Sequence, residues 1–236
     1  MTGSLARRAA AEALGTGLLV AVVIGSGIQA VALSQDVGVQ LLANSVATVF
    51  GLGVLIALFG PVSGAHFNPV VTLAAWCTGR REFTLREVAA YLPAQVIGGI
   101  GGAALANAMF GRPLVQWSGH VRTGGPLWLG EIVATAGLIL LIFGLTRTDR
   151  AHHAPVAVAS FIGAAYWFTS STSFANPAVT IGRAFTDTFA GIAPASVVPF
   201  IVAQLIGGLV GLGLVAVLFA RPAAVPDPLA FQETRS

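Results

Sequence analysis

Charged side chains are scarce in this sequence. They make up 9% of the 236 residues, and all 12 basic residues are arginine. Soluble domains carry roughly a quarter charged residues, whereas this chain is 56% hydrophobic. Such a composition indicates a protein that needs lipid around it and excludes most soluble classes. Nucleic-acid binding is unsupported too, because the arginines are not grouped on a soluble element.

Cysteine is nearly absent as well. The one cysteine, Cys77, cannot form an intrachain disulfide and leaves no cysteine pair for a metal site, so we interpret it as a small apolar filler. No constellation of nucleophile, base or metal ligands stands in an apolar segment or a short loop. The sequence therefore predicts no enzyme activity, no bound metal and no cofactor.

Long apolar runs are what the sequence does contain. A bilayer core about 30 Å thick needs roughly 20 helical residues. Six runs have about this length: residues 10–32, 40–60, 85–110, 126–146, 154–171 and 196–220. The first run follows Arg7 and Arg8 directly and lacks a small-residue cleavage site, so we expect it to remain as a membrane span. The predicted fold is an all-α membrane protein.

The distribution of arginine predicts the orientation in the membrane. Arginines cluster in alternate connections, at Arg7, Arg8, Arg80, Arg81, Arg86, Arg147, Arg150, Arg221 and Arg235. The longest loop on the opposite side has Arg112 and Arg122. Because basic residues are enriched on the cytoplasmic side, we expect a multi-pass protein of the cell membrane with both termini in the cytoplasm. Residues 221–236, rich in proline, are expected to form a flexible cytoplasmic tail.

Three short motifs occur twice, in the same order and about 110–120 residues apart. They pair residues 11–13 with 130–132, 63–72 with 173–180, and 94–99 with 203–208. Each half contains three spans, an odd number, so the second half must enter the membrane from the other side. Inverted repeats place equivalent segments face to face near the midplane, where membrane transport proteins commonly hold their selective site. We expect a single domain over 1–236, with repeats at about 9–110 and 126–220.

Asn-Pro, at residues 68–69 and 176–177, is a helix start signal in both repeats. Asparagine is a favoured N-cap and proline a favoured first helical residue. The apolar segments that follow extend about 12 residues, or roughly 18 Å, to the breaks at Gly79 and Asp187. They are too short to cross the bilayer, so we predict re-entrant half-helices whose N-termini meet in mid-membrane. Irregular backbone at that depth is tolerated only beside a wet passage.

The doubled Asn-Pro signature resembles that of the major intrinsic proteins, the family of aquaporins and glycerol facilitators. The family's Asn-Pro-Ala matches residues 176–178 fully and 68–70 with Val70 in place of alanine. The resemblance covers nearly the whole chain. It implies six tilted transmembrane helices plus two half-helices, one pore per protomer and a homotetramer. Small-residue spacing typical of close helix contacts is present at Gly98, Gly102, Gly207 and Gly211.

By resemblance, the chain forms a passive pathway for small uncharged solutes that excludes ions and protons. The pore centre is expected at Asn68, Pro69, Val70, Asn176, Pro177 and Ala178. The two asparagines would donate N–H groups to a solute oxygen, while the half-helix N-termini repel cations. Acceptor carbonyls along the track would come from Gly64, Ala65, His66, Ser173, Phe174 and Ala175. Glu12 and Glu131, acids within spans, are expected to brace the approach loops by accepting their N–H groups.

The residue after the second signature departs from the family pattern. Most members have an arginine that narrows the outer mouth, but here the position is Val179. Counting from the asparagines places the other residues of the selectivity filter at Thr48, Ala164 and Ser173. Because this ring is uncharged, we expect a wider and less water-specific filter. Alternatively, Arg183 supplies the charge one helical turn further on, with Asp187 as a partner in the outer vestibule.

A bacterial branch of the family, linked with arsenic resistance, also resembles this sequence in its valine after the second signature. We therefore expect glycerol, urea or metalloid hydroxides to pass as well as water. The alternative function is a secondary active transporter, because inverted repeats and broken helices occur there too. A transporter needs a coupling-ion carboxylate near the midplane, and the sequence offers only the two glutamates expected to brace the loops. Solute flux would separate both functions from a structural membrane protein with a closed pore.

Overall fold

The computed structural model describes residues 3–79 and 83–219. Within them the chain forms α1 (Leu5–Leu33), α2 (Val37–Ser63), α3 (Pro69–Thr78), α4 (Leu85–Met109), α5 (Gly125–Arg147), α6 (Ala154–Phe168), α7 (Pro177–Arg183) and α8 (Pro194–Leu218). A short 3₁₀ helix, Ala151–His153, precedes α6. The two described ranges contain no strand, which confirms the all-α prediction. Arg80, Arg81, Arg221, Arg235 and the expected tail at 221–236 lie outside them.

Five of the described helices, α1, α2, α4, α5 and α8, are long and apolar enough to cross a membrane. They coincide with five of the six predicted runs. The remaining one, α6, has 15 residues, or about 22 Å, and ends earlier than the predicted run 154–171. It ends because Thr169 has extended backbone and a run of serine and threonine follows.

The two half-helices begin where Asn-Pro predicts. The Asn68 side chain accepts a hydrogen bond from the N–H of Val70, and Asn176 caps α7 in the same way. Both helices are shorter than the expected 12 or so residues: α3 has 10 and α7 has 7. The second is the shorter because Ala184 and Phe185 close a turn onto α7, where their N–H groups bind Ile181 and Gly182 carbonyls.

The two repeats use the same helix packing. On α4, a Cβ atom added to Gly98 or Gly102 would collide with the carbonyl oxygens of Ala13 and Gly17 on α1. Glycine is required there because the two backbones touch. The equivalent contacts between α8 and α5 join Gly207 with Ile132 and Gly211 with Ala136. All four glycines expected from their spacing to make close helix contacts make them inside the chain, so they carry no argument for a tetramer.

Candidate functional site

A cavity of about 1420 Å³ follows the line of the two half-helices. One end is lined by Cys77 and Thr78, at the C-terminal end of α3, and the other by Arg183, the last residue of α7. Between these ends the cavity passes Asn68 and Asn176. The cavity therefore extends past both half-helices and past the point where they meet.

The two asparagines join the repeats at this meeting point. Asn68 Nδ2 donates to the Ala175 carbonyl at 2.7 Å, and Asn176 Nδ2 donates to the Phe67 carbonyl at 2.8 Å. Each Oδ1 accepts from the first turn of its own half-helix, at Val70 for Asn68. A side-chain amide has two N–H groups, and one is used in each case. Each asparagine thus retains one N–H beside the cavity.

A buried glutamate holds the loop that leads into α3. Glu12 is 0% exposed and accepts main-chain hydrogen bonds from His66 at 3.0 Å and Phe67 at 2.7 Å. The Ser63 hydroxyl and the Gln95 amide donate to the same carboxylate at 2.6 and 2.8 Å. Four donors satisfy a charge that burial alone would make costly.

The second repeat contains the same arrangement. Glu131, also 0% exposed, accepts from the N–H groups of Phe174 and Ala175, both at 2.8 Å. Gln204 Nε2 donates to it at 2.7 Å and to the Thr180 hydroxyl at 2.8 Å. The two carboxylates therefore hold equivalent loops from behind, on the side away from the cavity.

The approach loops contain several residues with left-handed backbone. Positive φ occurs at Ala65 (49°) and Phe67 (49°), and at Ser173 (52°) and Ala175 (48°). Such values cost of order 1–3 kcal/mol for residues other than glycine, and the carboxylate hydrogen bonds to the loops offset that cost. Because the N–H groups of these loops point at a glutamate, their carbonyls point the other way, towards the cavity.

The carbonyls expected along the track divide into two groups. Those of Gly64, Ala65, His66, Ser173 and Phe174 belong to residues that line the cavity and accept no hydrogen bond from the described part of the chain. The Ala175 carbonyl is different, because it accepts from Asn68. The carbonyl of Phe67, which the sequence did not single out, accepts from Asn176 in the same way. These two carbonyls join the repeats, and the other five are without a protein donor in the described part of the chain.

The outer part of the cavity has an uncharged ring. Thr48, Ser173, Val179 and Tyr166 line the cavity there, and together they are called the outer ring. The Tyr166 hydroxyl lies 3.3 Å from the Thr48 hydroxyl. The expectation for Ala164 is wrong: it lies on the exposed face of α6. The buried face of that helix follows helical spacing through Ile162 and Tyr166, and Ala164 points away from it. The spacing of apolar residues from Val158 would have indicated this face.

Arg183 lies one turn beyond Val179 and is 4% exposed. Its Nε donates to the Ala190 carbonyl, and its guanidinium carbon lies 3.4 Å from the centroid of the Phe174 ring. The expected partner Asp187 is exposed and accepts from the Gly119 N–H at 2.9 Å. Among the described residues, the ion pair present is Arg8 with Glu87, so the pairing of Arg183 with Asp187 is wrong.

A second arginine lies near the aromatic ring of Phe174. Arg122, in the loop between α4 and α5, has its guanidinium carbon 5.2 Å from the Phe174 centroid. Its Nε and Nη2 donate to the carbonyls of Gly191 and Phe189 at 2.9 and 3.3 Å. Burial lowers the pKa of the Arg122 guanidinium below its usual value. Arg122 is not among the residues that line the cavity, so its role in the described structure is to hold the segment after α7.

Comparison with known proteins decides the family. The sequence profile described as major intrinsic protein matches residues 2–173. The chain belongs to the major intrinsic protein family. It is 51% identical over 220 residues to "Aquaglyceroporin AqpS" of Rhizobium meliloti, covering 92% of this chain and 93% of the relative. It is 35% identical over 239 residues to "Aquaporin Z" of Photorhabdus laumondii, covering 91% of this chain and 98% of that protein.

Solved structures show the same fold for this family member. The X-ray structure of the aquaglyceroporin from Plasmodium falciparum matches with a TM-score of 0.66 and 22% identity, over 90% of this chain and 96% of that one. The match confirms the predicted aquaporin-like architecture, with its two half-helices. The relatives also confirm the resemblance inferred from the doubled Asn-Pro signature.

Proposed function

We propose that this protein is a passive membrane channel for water and glycerol, and that ions and protons do not pass. The observation that carries the proposal is the pair of asparagines at the centre of the cavity. Each has its Oδ1 and one N–H engaged by the protein, and each keeps one N–H beside the cavity. A solute at this point can only accept hydrogen bonds from the asparagines.

This donor-only centre supports neutral solutes and opposes charge. A water molecule that accepts from both asparagines cannot at the same time accept from its neighbour in a file of water, so a proton-conducting chain is interrupted. Cations meet two N–H donors and the positive ends of α3 and α7, which raise their energy. Neutral solutes are then received by the five carbonyls that accept no protein hydrogen bond.

The outer ring supports solutes larger than water. Thr48, Ser173 and Val179 are small or medium in size, and Tyr166 places its hydroxyl next to that of Thr48. Since no arginine stands at position 179, the ring lacks the side chain that narrows most members of the family. We infer that glycerol, urea and metalloid hydroxides pass in addition to water. The relative in Rhizobium meliloti has the name aquaglyceroporin, which agrees with a wide pore.

The residues that the structure describes do not favour an active transporter. The buried acids of the described residues, Glu12 and Glu131, each accept two loop N–H groups and one glutamine amide. A coupling ion would have to displace these hydrogen bonds and release the loops. The two carboxylates are therefore proposed as loop supports and not as ion sites.

The arginines and the exposed apolar helix faces bear on the orientation of the chain in the membrane and on its oligomeric state. We infer a single aquaporin-like domain in the cell membrane, with both termini in the cytoplasm. The described Arg7, Arg8, Arg86, Arg147 and Arg150 lie in or next to the terminal turns of α1, α4 and α5, at the helix ends expected on one side. Large apolar side chains cover the outer helix faces, among them Phe50, Val54, Leu209 and Val217, at 65–82% exposure. These faces suit lipid or neighbouring copies, and the family resemblance supports a homotetramer.

A flux panel tests the proposal. The purified protein would be reconstituted in liposomes, and shrinkage or swelling would be followed by stopped-flow light scattering with sucrose, glycerol and urea as osmolytes. We expect water and glycerol permeabilities well above those of empty liposomes, a linear dependence on solute gradient, and no added sodium leak. A glycerol flux that saturates and follows membrane potential would favour the transporter instead.

A further inference from the structure

The outer pore contains a buried cation that the protein leaves partly uncoordinated. Arg183 is 4% exposed, and the described residues place no carboxylate in an ion pair with it. Its Nε donates a hydrogen bond to the Ala190 carbonyl. The two terminal nitrogens have no hydrogen-bond partner in the described ranges. A buried charge with one acceptor is under-coordinated. Since Arg183 lines the cavity, a solute inside the cavity can supply the missing acceptors.

The position of this cation is fixed by its neighbours. One face of the guanidinium stacks on Phe174, with 3.4 Å between the guanidinium carbon and the ring centroid, which leaves the in-plane N–H groups available. Side chains on a helix lean towards its N-terminus, so the side chain of Arg183 leans back along α7 towards Val179. The Cα atoms of these two residues are separated by four helical steps, or about 6 Å.

A second group beside the cavity also lacks a partner. Ser173 is 3% exposed, and its hydroxyl oxygen is buried without a hydrogen bond. Its main-chain N–H is already held by the Ser171 hydroxyl at 3.2 Å. Buried hydroxyls are almost always hydrogen-bonded, and this one belongs to a residue that lines the cavity next to Phe174. An orphan hydroxyl therefore belongs to the residue before Phe174, and an under-coordinated guanidinium stacks on the Phe174 ring.

We propose that Arg183 and Ser173 form a binding subsite in the outer pore for neutral solutes with two or more hydroxyl groups. The proposal rests on the channel function and names the feature that recognises polyols. One solute oxygen accepts from the guanidinium, and a second hydroxyl exchanges a hydrogen bond with Ser173. A polyol brings a separate hydroxyl to each group in one molecule, whereas a water molecule brings a single oxygen. Ser173 thus belongs to both the subsite and the uncharged ring, and the solute next passes the other ring residues, Thr48, Tyr166 and Val179.

The chain supplies a matched control in Arg122. This arginine lies near the same Phe174 ring, at 5.2 Å, but two of its nitrogens are occupied by carbonyls and it does not line the cavity. Arg122→Gln removes one positive charge from the same region without touching the subsite. Any effect of charge alone, or of loop stability alone, appears in this variant too.

The test is the ratio of glycerol to water permeability in proteoliposomes, normalised to the amount of folded protein. We expect Arg183→Gln to lower the ratio about tenfold, the effect of one charge-assisted hydrogen bond on a rate. Ser173→Ala should lower it about threefold, and it should fold normally because its hydroxyl has no protein partner. Arg183→Lys keeps the charge and should give an intermediate ratio. Arg122→Gln should leave the ratio within twofold of the unmodified protein.

Two outcomes overturn the subsite. One is a ratio that stays unchanged in both Ser173→Ala and Arg183→Gln while the unmodified protein conducts glycerol. The other is an equal fall in Arg122→Gln and Arg183→Gln. If liposomes with the unmodified protein conduct no more water or glycerol than empty ones, the channel proposal fails and the subsite fails with it. The flux of the unmodified protein therefore distinguishes the two failures.

Discussion

Replacing Glu12 by glutamine tests how the loops are held. Its carboxylate has two donors on each oxygen: Ser63 and His66 on one, Phe67 and Gln95 on the other. Glutamine presents one oxygen and one NH₂ group. The least costly orientation turns the NH₂ group towards Ser63, whose hydroxyl can rotate to accept. The main-chain N–H of His66 cannot rotate in this way and loses its acceptor.

The magnitude follows from these contacts. A buried N–H without an acceptor costs about 1–3 kcal/mol, and the loss of charge from the remaining bonds adds roughly 1 kcal/mol. Glu12→Gln should therefore destabilise the protein by about 2–4 kcal/mol, which for a chain of this size lowers the Tm by about 5–15 °C. The water permeability per folded protomer should fall as well, because the carbonyls of Ala65 and His66 lose their orientation.

The measurement is thermal unfolding in detergent, combined with stopped-flow water permeability. The matched control is Glu87→Gln, which also replaces one carboxylate, at a less buried site where Glu87 pairs with Arg8 and accepts from the Thr84 N–H. Glutamine can keep the contact with Thr84, because it is accepted at this position of a capping box. We expect a shift of a few degrees or less for the control. An unchanged Tm together with unchanged water permeability in Glu12→Gln would refute the role of the carboxylate.

Three further predictions follow from other contacts. Gly98→Ala should lower the Tm, at a cost of about 1–3 kcal/mol in stability, because the new methyl group meets the Ala13 carbonyl. The control Gly101→Ala, on the same helix, places its methyl group in open space and should leave the Tm unchanged. Equal effects of the two variants would argue against the backbone contact. Val179→Arg should slow glycerol and urea more than water in liposome assays, and equal slowing of all three would argue against the assigned ring. Cys77 is exposed and lines the cavity, so a membrane-impermeant thiol reagent added on the cytoplasmic side should react with it and block water flux. Block only by reagent added on the outer side would reverse the predicted orientation.

The architecture could be predicted because its signals are local. The apolar runs have the length that a bilayer sets, and Asn-Pro combines an N-cap with a favoured first residue. The inverted repeat then indicates that the two half-helices enter from opposite sides. Glu12 and Glu131 could be selected as well, because an acid within an apolar span needs donors and the irregular loops have them.

The outer ring could be predicted only in part. Counting from the asparagines assumes that no residues are inserted in the loops before them. The loop between α6 and α7 is longer than the equivalent loop between α2 and α3, so the count fails there. Ala164 therefore fell on the exposed face of α6, while Tyr166 lies on the cavity side. Helical spacing within α6 is the better guide, because the buried face is set by the helix itself.

Some contacts between distant segments could not be predicted. The bonds from Asn68 to Ala175 and from Asn176 to Phe67 depend on how two separate loops meet. Likewise, the spacing of Arg183 and Asp187 suits a helical ion pair, but α7 ends at Arg183. Asp187 then lies outside the helix and binds Gly119, while Arg183 stacks on Phe174.

The most direct test of the channel is to record water permeability and proton leak on the same proteoliposomes. A pH-sensitive dye inside the vesicles reports protons, and light scattering reports water. With two asparagine donors at the centre of the pore, we predict high water permeability and a proton leak equal to that of empty liposomes. A proton leak that rises in proportion to water permeability would contradict the donor-only centre.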